Sequence, residues 1–170
     1  MQQMESGMAT EIQPSCHVFS YPSRSRSRGT VRIVSSDPGV APNIRPNYLS
    51  DPYDQEVTIA SYRFTVQWMR QPAIARLIAR ERDPLLQIQT DDEIIDFYKR
   101  KGASTYHSCG TCRMGGSPDS VVDARLQVRG VYGLRVADAS IMPTMPSCNT
   151  NGPSLVIGWR GGEIIREGNE

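Results

Sequence analysis

Residues 104–115 read STYHSCGTCRMG. The stretch contains His107, one of two histidines in the 170-residue chain, and a C-x-x-C pair formed by Cys109 and Cys112. Three interpretations are compatible with this pattern: a metal site, a redox-active dithiol, or a glycine-containing loop that carries one catalytic histidine. The surrounding sequence favours some of these interpretations over others.

The metal and dithiol interpretations both lack the sequence context that they need. A structural zinc site uses four ligands, commonly two such pairs, but the other candidates, Cys16, His17 and Cys148, form no second pair. A redox pair normally opens a helix, whose dipole lowers the thiol pKa, whereas Cys112 is followed by a glycine-rich turn. We therefore predict no metal site. For His107, spacing alone leaves a structural and a general-base role open.

The overall composition is that of a soluble globular domain. Hydrophobic residues make up 38% of the chain and charged residues 22%, and the net charge is +1. This nearly neutral charge balance produces no strong electrostatic field that would attract nucleic acid. No run approaches the roughly 20 apolar residues that span a bilayer, and the N-terminus lacks the features of a secretory signal. We expect a cytoplasmic protein with no nucleic-acid partner and no transmembrane segment.

The N-terminal half is predicted to contain one strand and three helices. Alternating apolar residues in 29–38 (GTVRIVSSDP) predict the strand, and a proline-rich extended segment follows. The helices are expected from Asp51 or Asp54 to about Met69, over residues 71–83 and over residues 90–102. Aspartate caps the first, proline starts the second, and Thr90 with Glu93 forms a capping box for the third. Residues 1–15 are interpreted as a lead or linker.

The C-terminal half is predicted to contain short strands and one helix. Residues 120–143 read as short strands joined by glycine turns, with centres at 126–128 and 134–136. A polar loop follows, and then a helix that starts near Pro153. Three glycines inside this helix each cost about 1 kcal/mol relative to alanine. They indicate either close packing or an interrupted helix.

Several polar residues allow both a structural and a functional interpretation. Asn149 and Asn151 are compatible with a turn and a helix cap, or with amides presented to a polar ligand at a helix start. Asp138 ends an apolar strand, where it would cap a helix or meet a cofactor. The stretch SRSRSRG (23–29) is interpreted as a solvated turn, with a phosphate-binding patch as the lesser alternative.

Taken together, three motifs resemble the C-terminal segment of glucose–methanol–choline (GMC) flavoprotein oxidoreductases, most closely the choline dehydrogenase-like branch. The motifs are YHSCGTCRMG (106–115), VVDARLQVRGVYGLRVADASIMP (121–143) and SCNTNGPSLVIG (147–158). The resemblance extends over residues 18–167 and includes SRGTVRIVSSDP and PNYLSDPYDQE. The combination of motifs is far more specific than any one of them.

The resemblance implies an α+β fold, in which an antiparallel sheet covered by helices forms the substrate domain. C-terminal strands and a helix would then complete an FAD-binding domain. On this basis residues 16–170 form a GMC C-terminal domain. Residues 16–103 would supply substrate-domain strands and helices, and residues 104–170 the active-site loops and the flavin-contacting segment.

The resemblance also implies a function and a set of site residues. The family oxidises a small-molecule alcohol, with a histidine taking the hydroxyl proton while hydride passes to FAD. By matching, His107 would be that base and Asn149 would orient the substrate oxygen. Four further residues match segments that lie along the flavin: Asp138, Ala139, Thr150 and Asn151. The cysteines would then be small residues that fill a loop.

Some features depart from the family pattern. Cys148 stands where relatives usually have glycine, and residues 158–160 (GWR) replace an acidic–basic pair. The G-x-G-x-x-G fingerprint for the FAD pyrophosphate is not among these 170 residues. We therefore expect an FAD-binding domain from the same or another chain, and expect the isolated chain to bind FAD weakly or not at all and to self-associate. The alternatives are a non-catalytic remnant, a subunit that needs a partner chain, or a zinc- or thiol-dependent module.

Overall fold

A computed structural model describes residues 16–81 and 87–168. The chain forms two compact units: the first comprises Met1–Pro22 and Tyr48–Thr105, and the second comprises Ser23–Asn47 and Tyr106–Glu170. The predicted lead, residues 1–15, lies outside the described residues. Within the described part, no helix is both long and apolar enough to cross a bilayer.

Helix α1 of the first unit spans Pro52–Met69, as the sequence predicts. Asp51 caps it, since its Oδ1 accepts the backbone N–H of Tyr53 at 2.9 Å. Pro52 occupies the first helical position, where a missing N–H costs nothing. The predicted cap and both predicted ends are confirmed.

The second predicted helix, over residues 71–83, was wrong in its extent. Helix α2 spans only Pro72–Ala75, and none of its residues is buried. A short helix gains most of its stability from tertiary packing, so a segment that buries no face ends after one turn. The last two residues of the predicted span lie outside the described residues.

Helix α3 spans Asp91–Lys101, and its predicted capping box is confirmed. Thr90 Oγ1 accepts the backbone N–H of Glu93 at 3.2 Å, and Glu93 Oε2 accepts that of Thr90 at 2.9 Å. The backbone N–H groups of Thr90 and Gln89, which both donate to Glu93 Oε2, lower the pKa of the Glu93 carboxyl. The reciprocal bonds satisfy two donors that a helix start otherwise leaves open.

The core of the first unit forms where α1 packs against α3. Ile94 and Ile95 are buried on α3, and Tyr62 is buried on α1. The Tyr62 ring lies 6.3 Å from that of Phe97 and 6.4 Å from that of Tyr98, in tilted and edge-on orientations that aromatic pairs favour. Burial raises the pKa of the Tyr62 phenol, and the Tyr98 phenol raises it further.

Thr58 places an unsatisfied hydroxyl in this core. Its side chain is 2% exposed, and its Oγ1 has no hydrogen-bond partner within the described part of the chain. Such a group costs about 1–3 kcal/mol of desolvation. Thr58→Val keeps the shape and removes the hydroxyl, so we expect the free energy of unfolding to rise by about 1 kcal/mol, measured by urea denaturation of the purified chain.

Thr65 in the same helix provides the matched control. Its hydroxyl donates to the Ser61 carbonyl at 2.9 Å and is therefore satisfied. Thr65→Val should leave the stability unchanged or lower it slightly, because it removes a bond that is made. Equal effects of the two substitutions would contradict the assignment of an unsatisfied hydroxyl at Thr58.

The second unit begins with a two-stranded antiparallel ribbon. Strand β1 (Thr30–Arg32) pairs with β2 (Asn43–Arg45), and Val31 lies opposite Ile44. The predicted strand is confirmed but shorter than its alternating pattern, and the proline-rich segment supplies its partner. All six residues are exposed.

The core of the second unit is a small apolar cluster. Its buried members are Val122, Leu126, Ile141 and Ile164. The two predicted strand centres pair with each other, since Val128 N–H donates to the Leu134 carbonyl and Val136 N–H to the Leu126 carbonyl. The predicted short strands are wrong as strands, because the two segments are joined only by isolated bridges and form no extended strand.

Helix α4 (Asn151–Glu167) packs on this cluster. Close packing explains why the helix has glycine at position 161. A Cβ on Gly161 would lie 3.1 Å from Ala137 Cβ and 3.3 Å from Leu126 Cδ1. The helix runs through its glycines without a break, so close packing is the correct alternative at this position. On its exposed face α4 carries Leu155, Val156 and Trp159.

Candidate active site

The loop that carries His107 has an unusual backbone. Tyr106 has φ of 62° and Gly110 has φ of 88°, both in the left-handed region. Glycine adopts this region freely, but a tyrosine there is strained, and such strain is common at functional sites. The His107 side chain between these two positions is half-buried.

Backbone hydrogen bonds join this loop to the segment that follows Asp138. The N–H of Cys112 donates to the Ser140 carbonyl at 2.9 Å, and that of Met114 donates to the Ile141 carbonyl at 2.8 Å. Residues Ala139–Ile141 form a short 3-10 helix. Two of the three motifs recognised in the sequence are therefore neighbours.

The third motif reaches the first through a side-chain contact. His107 Nδ1 and Thr150 Oγ1 are 3.1 Å apart, across 43 residues of chain. Thr150 is 8% exposed, so little water competes for this bond. The contact holds one edge of the imidazole and leaves Nε2 as the ring nitrogen for a second partner.

The start of α4 fixes Thr150 in turn. Its carbonyl accepts the N–H of Ser154 at 2.9 Å and the Ser154 hydroxyl at 2.7 Å. Thr150 is the N-cap residue, but its side chain makes no capping bond because it faces His107. Asn149 and Asn151 flank it in sequence and are exposed.

Asp138 has the structural role that the sequence allowed. Its Oδ1 accepts the Ser140 N–H at 2.7 Å and so caps the 3-10 helix. The carboxylate is exposed and Ala139 is half-buried. The expected flavin contacts of Asp138, Ala139, Thr150 and Asn151 stay predictions.

The surroundings of the C-x-x-C pair do not favour a thiolate at Cys109. All four are free thiols, and Cys109 and Cys112 are partly buried. Burial raises the pKa of the Cys109 thiol, and the charge of Arg28 lowers it by less, which disfavours the thiolate that redox chemistry needs. Among the described residues, no three His, Cys, Asp or Glu side chains come together to hold a metal ion.

Sequence reasoning missed one contact near these loops. Arg24 Nε donates to Ser147 Oγ at 2.5 Å, although the two residues are 123 positions apart. Ser147 lies two residues before Asn149. The alternating SRSRSRG pattern carries no signal for a partner so distant, so the sequence indicated only a solvated turn.

Comparison with known proteins identifies the family of this chain. The family model described as GMC oxidoreductase, C-terminal, matches residues 25–158. The chain belongs to the GMC oxidoreductase family, and its expected membership and α+β fold class are confirmed.

Individual relatives are similar over most of this chain. An oxygen-dependent choline dehydrogenase from Chromohalobacter salexigens is 40% identical over 143 residues, which cover 84% of this chain and 26% of that protein. An alcohol dehydrogenase [acceptor] from Pseudomonas putida is 43% identical over 140 residues, or 82% of this chain and 25% of that protein. The chain thus spans about a quarter of the length of these curated relatives.

Solved structures show the same relationship. The crystal structure of pyridoxine 4-oxidase from Mesorbium loti superposes with a TM-score of 0.78 at 33% identity, over 83% of this chain and 28% of that one. An FAD-dependent oxidoreductase from Chaetomium thermophilum gives a TM-score of 0.74 at 29% identity, over 83% and 25%.

Proposed function

We propose that this chain is the C-terminal part of an FAD-dependent alcohol oxidoreductase and carries its catalytic base. The observation that carries the proposal is the bond between His107 Nδ1 and Thr150 Oγ1. It joins two loops that the family pattern assigns to the active site. A histidine held at one ring nitrogen presents the other to a substrate in a fixed orientation.

His107 takes the proton of the substrate hydroxyl in this reaction. To accept a proton at Nε2 the neutral ring must carry its hydrogen on Nδ1, and Nδ1–H then donates to Thr150 Oγ1. General-base help of this kind contributes about 100- to 10,000-fold. Thr150 is a positioning residue in this scheme, because it fixes the tautomer of His107.

Asn149 orients the substrate oxygen, as the family resemblance implies. An amide is neutral, so it can hold the oxygen without competing for the proton. Its place one residue before Thr150 ties its position to that of His107. Bound FAD would supply the acceptor for the hydride that leaves the carbinol carbon.

The residues at the start of α4 fit a polar edge of such a cofactor. The helix start lacks a side-chain cap, so the side chain of the N-cap residue accepts no hydrogen bond from the first backbone N–H groups. A Cβ at Gly152 would meet nothing within 4 Å, which leaves room for close approach. Asn151 and Gly152 are the residues that would contact FAD here.

The remaining part of the FAD site is proposed to come from a domain of the same or another polypeptide. Two observations support this: the chain spans about a quarter of its relatives, and α4 exposes Leu155, Val156 and Trp159. A non-catalytic subunit that needs such a partner is the alternative. The cytoplasmic location expected from the sequence stays a prediction.

The test is alcohol-dependent reduction of a dye by this chain combined with an FAD-binding domain, either as one polypeptide or by co-expression. Stoichiometric flavin and dye reduction that depends on added alcohol are expected. Stoichiometric flavin without reduction by any primary alcohol would favour the non-catalytic alternative and refute the proposal.

A further inference from the structure

The start of α4 contains an asparagine that is followed directly by glycine. The chain has five asparagines, and Asn151 is the only one with glycine after it. The backbone nitrogen that follows an asparagine can attack the carbonyl carbon of its side chain, Cγ. A residue without a Cβ obstructs this attack least, and Gly152 supplies such a nitrogen.

Both reacting groups are accessible. Asn151 and Gly152 are exposed, and a Cβ at position 152 would meet nothing within 4 Å. Within the described part of the chain the Asn151 amide makes no side-chain hydrogen bond, whereas the Asn47 amide donates to the Arg28 carbonyl at 3.1 Å. No bond therefore holds the carbonyl carbon of Asn151 away from the Gly152 nitrogen.

The start of the helix favours the nucleophilic form of this nitrogen. The first N–H groups of a helix have no partner inside the helix, and the Thr150 side chain contacts His107 instead of capping them. The attack requires the Gly152 N–H to lose its proton. The positive end of the helix dipole stabilises the negative charge that results.

The first turn of α4 must open before the two groups can meet, since a helical backbone keeps the side-chain carbon of one residue apart from the next nitrogen. Opening breaks the 2.9 Å bond from the Ser154 N–H to the Thr150 carbonyl, and this limits the rate. Two features favour the opening. The helix start has no side-chain cap, and Pro153 disfavours the helical conformation of the residue before it.

We propose that Asn151 is a site of spontaneous deamidation. The Gly152 nitrogen forms a bond to Asn151 Cγ, the bond from Cγ to the side-chain nitrogen breaks, and ammonia leaves with the proton that the backbone nitrogen gave up. Water then opens the resulting succinimide ring at either carbonyl and yields aspartate or isoaspartate. The reaction needs no oxidant and no cofactor, and either product adds a negative charge at the start of α4.

The modification also bears on the cofactor, and this part of the inference rests on the proposed function. Asn151 and Gly152 are the residues proposed to contact FAD. A carboxylate there competes for the helix-start N–H groups that would otherwise meet a polar edge of the flavin, and isoaspartate lengthens the main chain at the same point. Bound FAD would cover both residues, so the reaction should proceed mainly in flavin-free protein.

Mass spectrometry of the aged chain tests the proposal. The purified chain is incubated at neutral and at mildly alkaline pH, folded and in guanidinium chloride, and digested with trypsin. The peptide of residues 136–160 contains both Asn149 and Asn151, and its fragments assign the mass gain of deamidation to one of them. We expect the gain at Asn151 and not at Asn149 in the folded chain, with faster conversion at alkaline pH because the Gly152 nitrogen must lose a proton. Conversion at Asn151 that is confined to the denatured chain, or absent from both, would overturn the proposal.

Two glycine variants test the mechanism. Gly152→Ala adds a Cβ beside the attacking nitrogen and should remove most of the conversion at Asn151. Gly162→Ala is the matched control and should leave the conversion unchanged, since Gly162 is an exposed glycine of the same helix whose Cβ would also meet nothing within 4 Å. Isoaspartate, detected with an isoaspartyl methyltransferase, should accompany aspartate because ring opening gives both. Equal conversion in the two variants, or aspartate without isoaspartate, would mean direct hydrolysis by water and would overturn the proposal.

The same measurement on the FAD-loaded enzyme that contains this chain keeps this test separate from that of the proposed function. Slower conversion at Asn151 with FAD than after removal of the flavin supports both the modification and the cofactor contact. Equal conversion with and without FAD supports the modification and refutes only the contact of Asn151 with the cofactor.

Discussion

His107→Ala is expected to lower kcat for alcohol oxidation by about 100- to 10,000-fold in the FAD-loaded enzyme that contains this chain. The loss follows because the imidazole is the group proposed to take the hydroxyl proton, and water at neutral pH is a much weaker base. The measurement is the rate of flavin bleaching after anaerobic mixing with a primary alcohol. Flavin content, measured before mixing, should be unchanged.

Two further variants make this result specific. His17→Ala removes the only other histidine, which is exposed in the first unit, and should react at the wild-type rate. Thr150→Val removes the partner that fixes the tautomer of His107 and should lower kcat by about 10-fold, a part of the general-base contribution. A normal bleaching rate in His107→Ala would eliminate this residue as the base.

Gly161→Leu is expected to lower the free energy of unfolding by about 2–3 kcal/mol, the upper range for overpacking. Gly161 is buried, and even a Cβ there would be 3.1 Å from Ala137 Cβ and 3.3 Å from Leu126 Cδ1. The additional carbon atoms of leucine have no space unless α4 moves away from the cluster of the second unit. Urea denaturation followed by circular dichroism measures the change.

Gly162→Leu is the matched control for this effect. The next position along the helix is exposed, and a Cβ there meets nothing within 4 Å. Replacing an exposed helical glycine by leucine should stabilise the chain by up to about 1 kcal/mol. Destabilisation of similar size at both positions would show that the effect does not depend on the close contacts of Gly161, and would contradict the packing assigned to α4.

Local signals in the sequence were sufficient for elements whose stability is local. Capping by Asp51 and the Thr90–Glu93 box fixed the starts of α1 and α3, because these bonds join residues two or three positions apart. The same reasoning failed for α2, which has a proline start but no buried face. Its length depends on tertiary packing, which the apolar pattern of residues 71–83 overstated.

The candidate site could be predicted only in part from the sequence. Resemblance to a family selected His107 and Thr150 separately, and the contact between them depends on the folded chain. Thr150 was assigned to the flavin, whereas the bond found for its side chain is to the imidazole. The Arg24–Ser147 bond could not be predicted, since two polar residues 123 positions apart share no periodicity or motif.

The division of the chain into interleaved segments has a consequence for synthesis on the ribosome. All the residues of the first unit have been synthesised once Thr105 is added, but the second unit also needs residues up to the end of α4. The apolar side chains of Val122, Leu126 and Ile141 therefore stay exposed on the nascent chain until α4 is added, because Ile164 is the last member of their cluster. A ribosome stalled before α4 would leave an aggregation-prone intermediate that depends on chaperones.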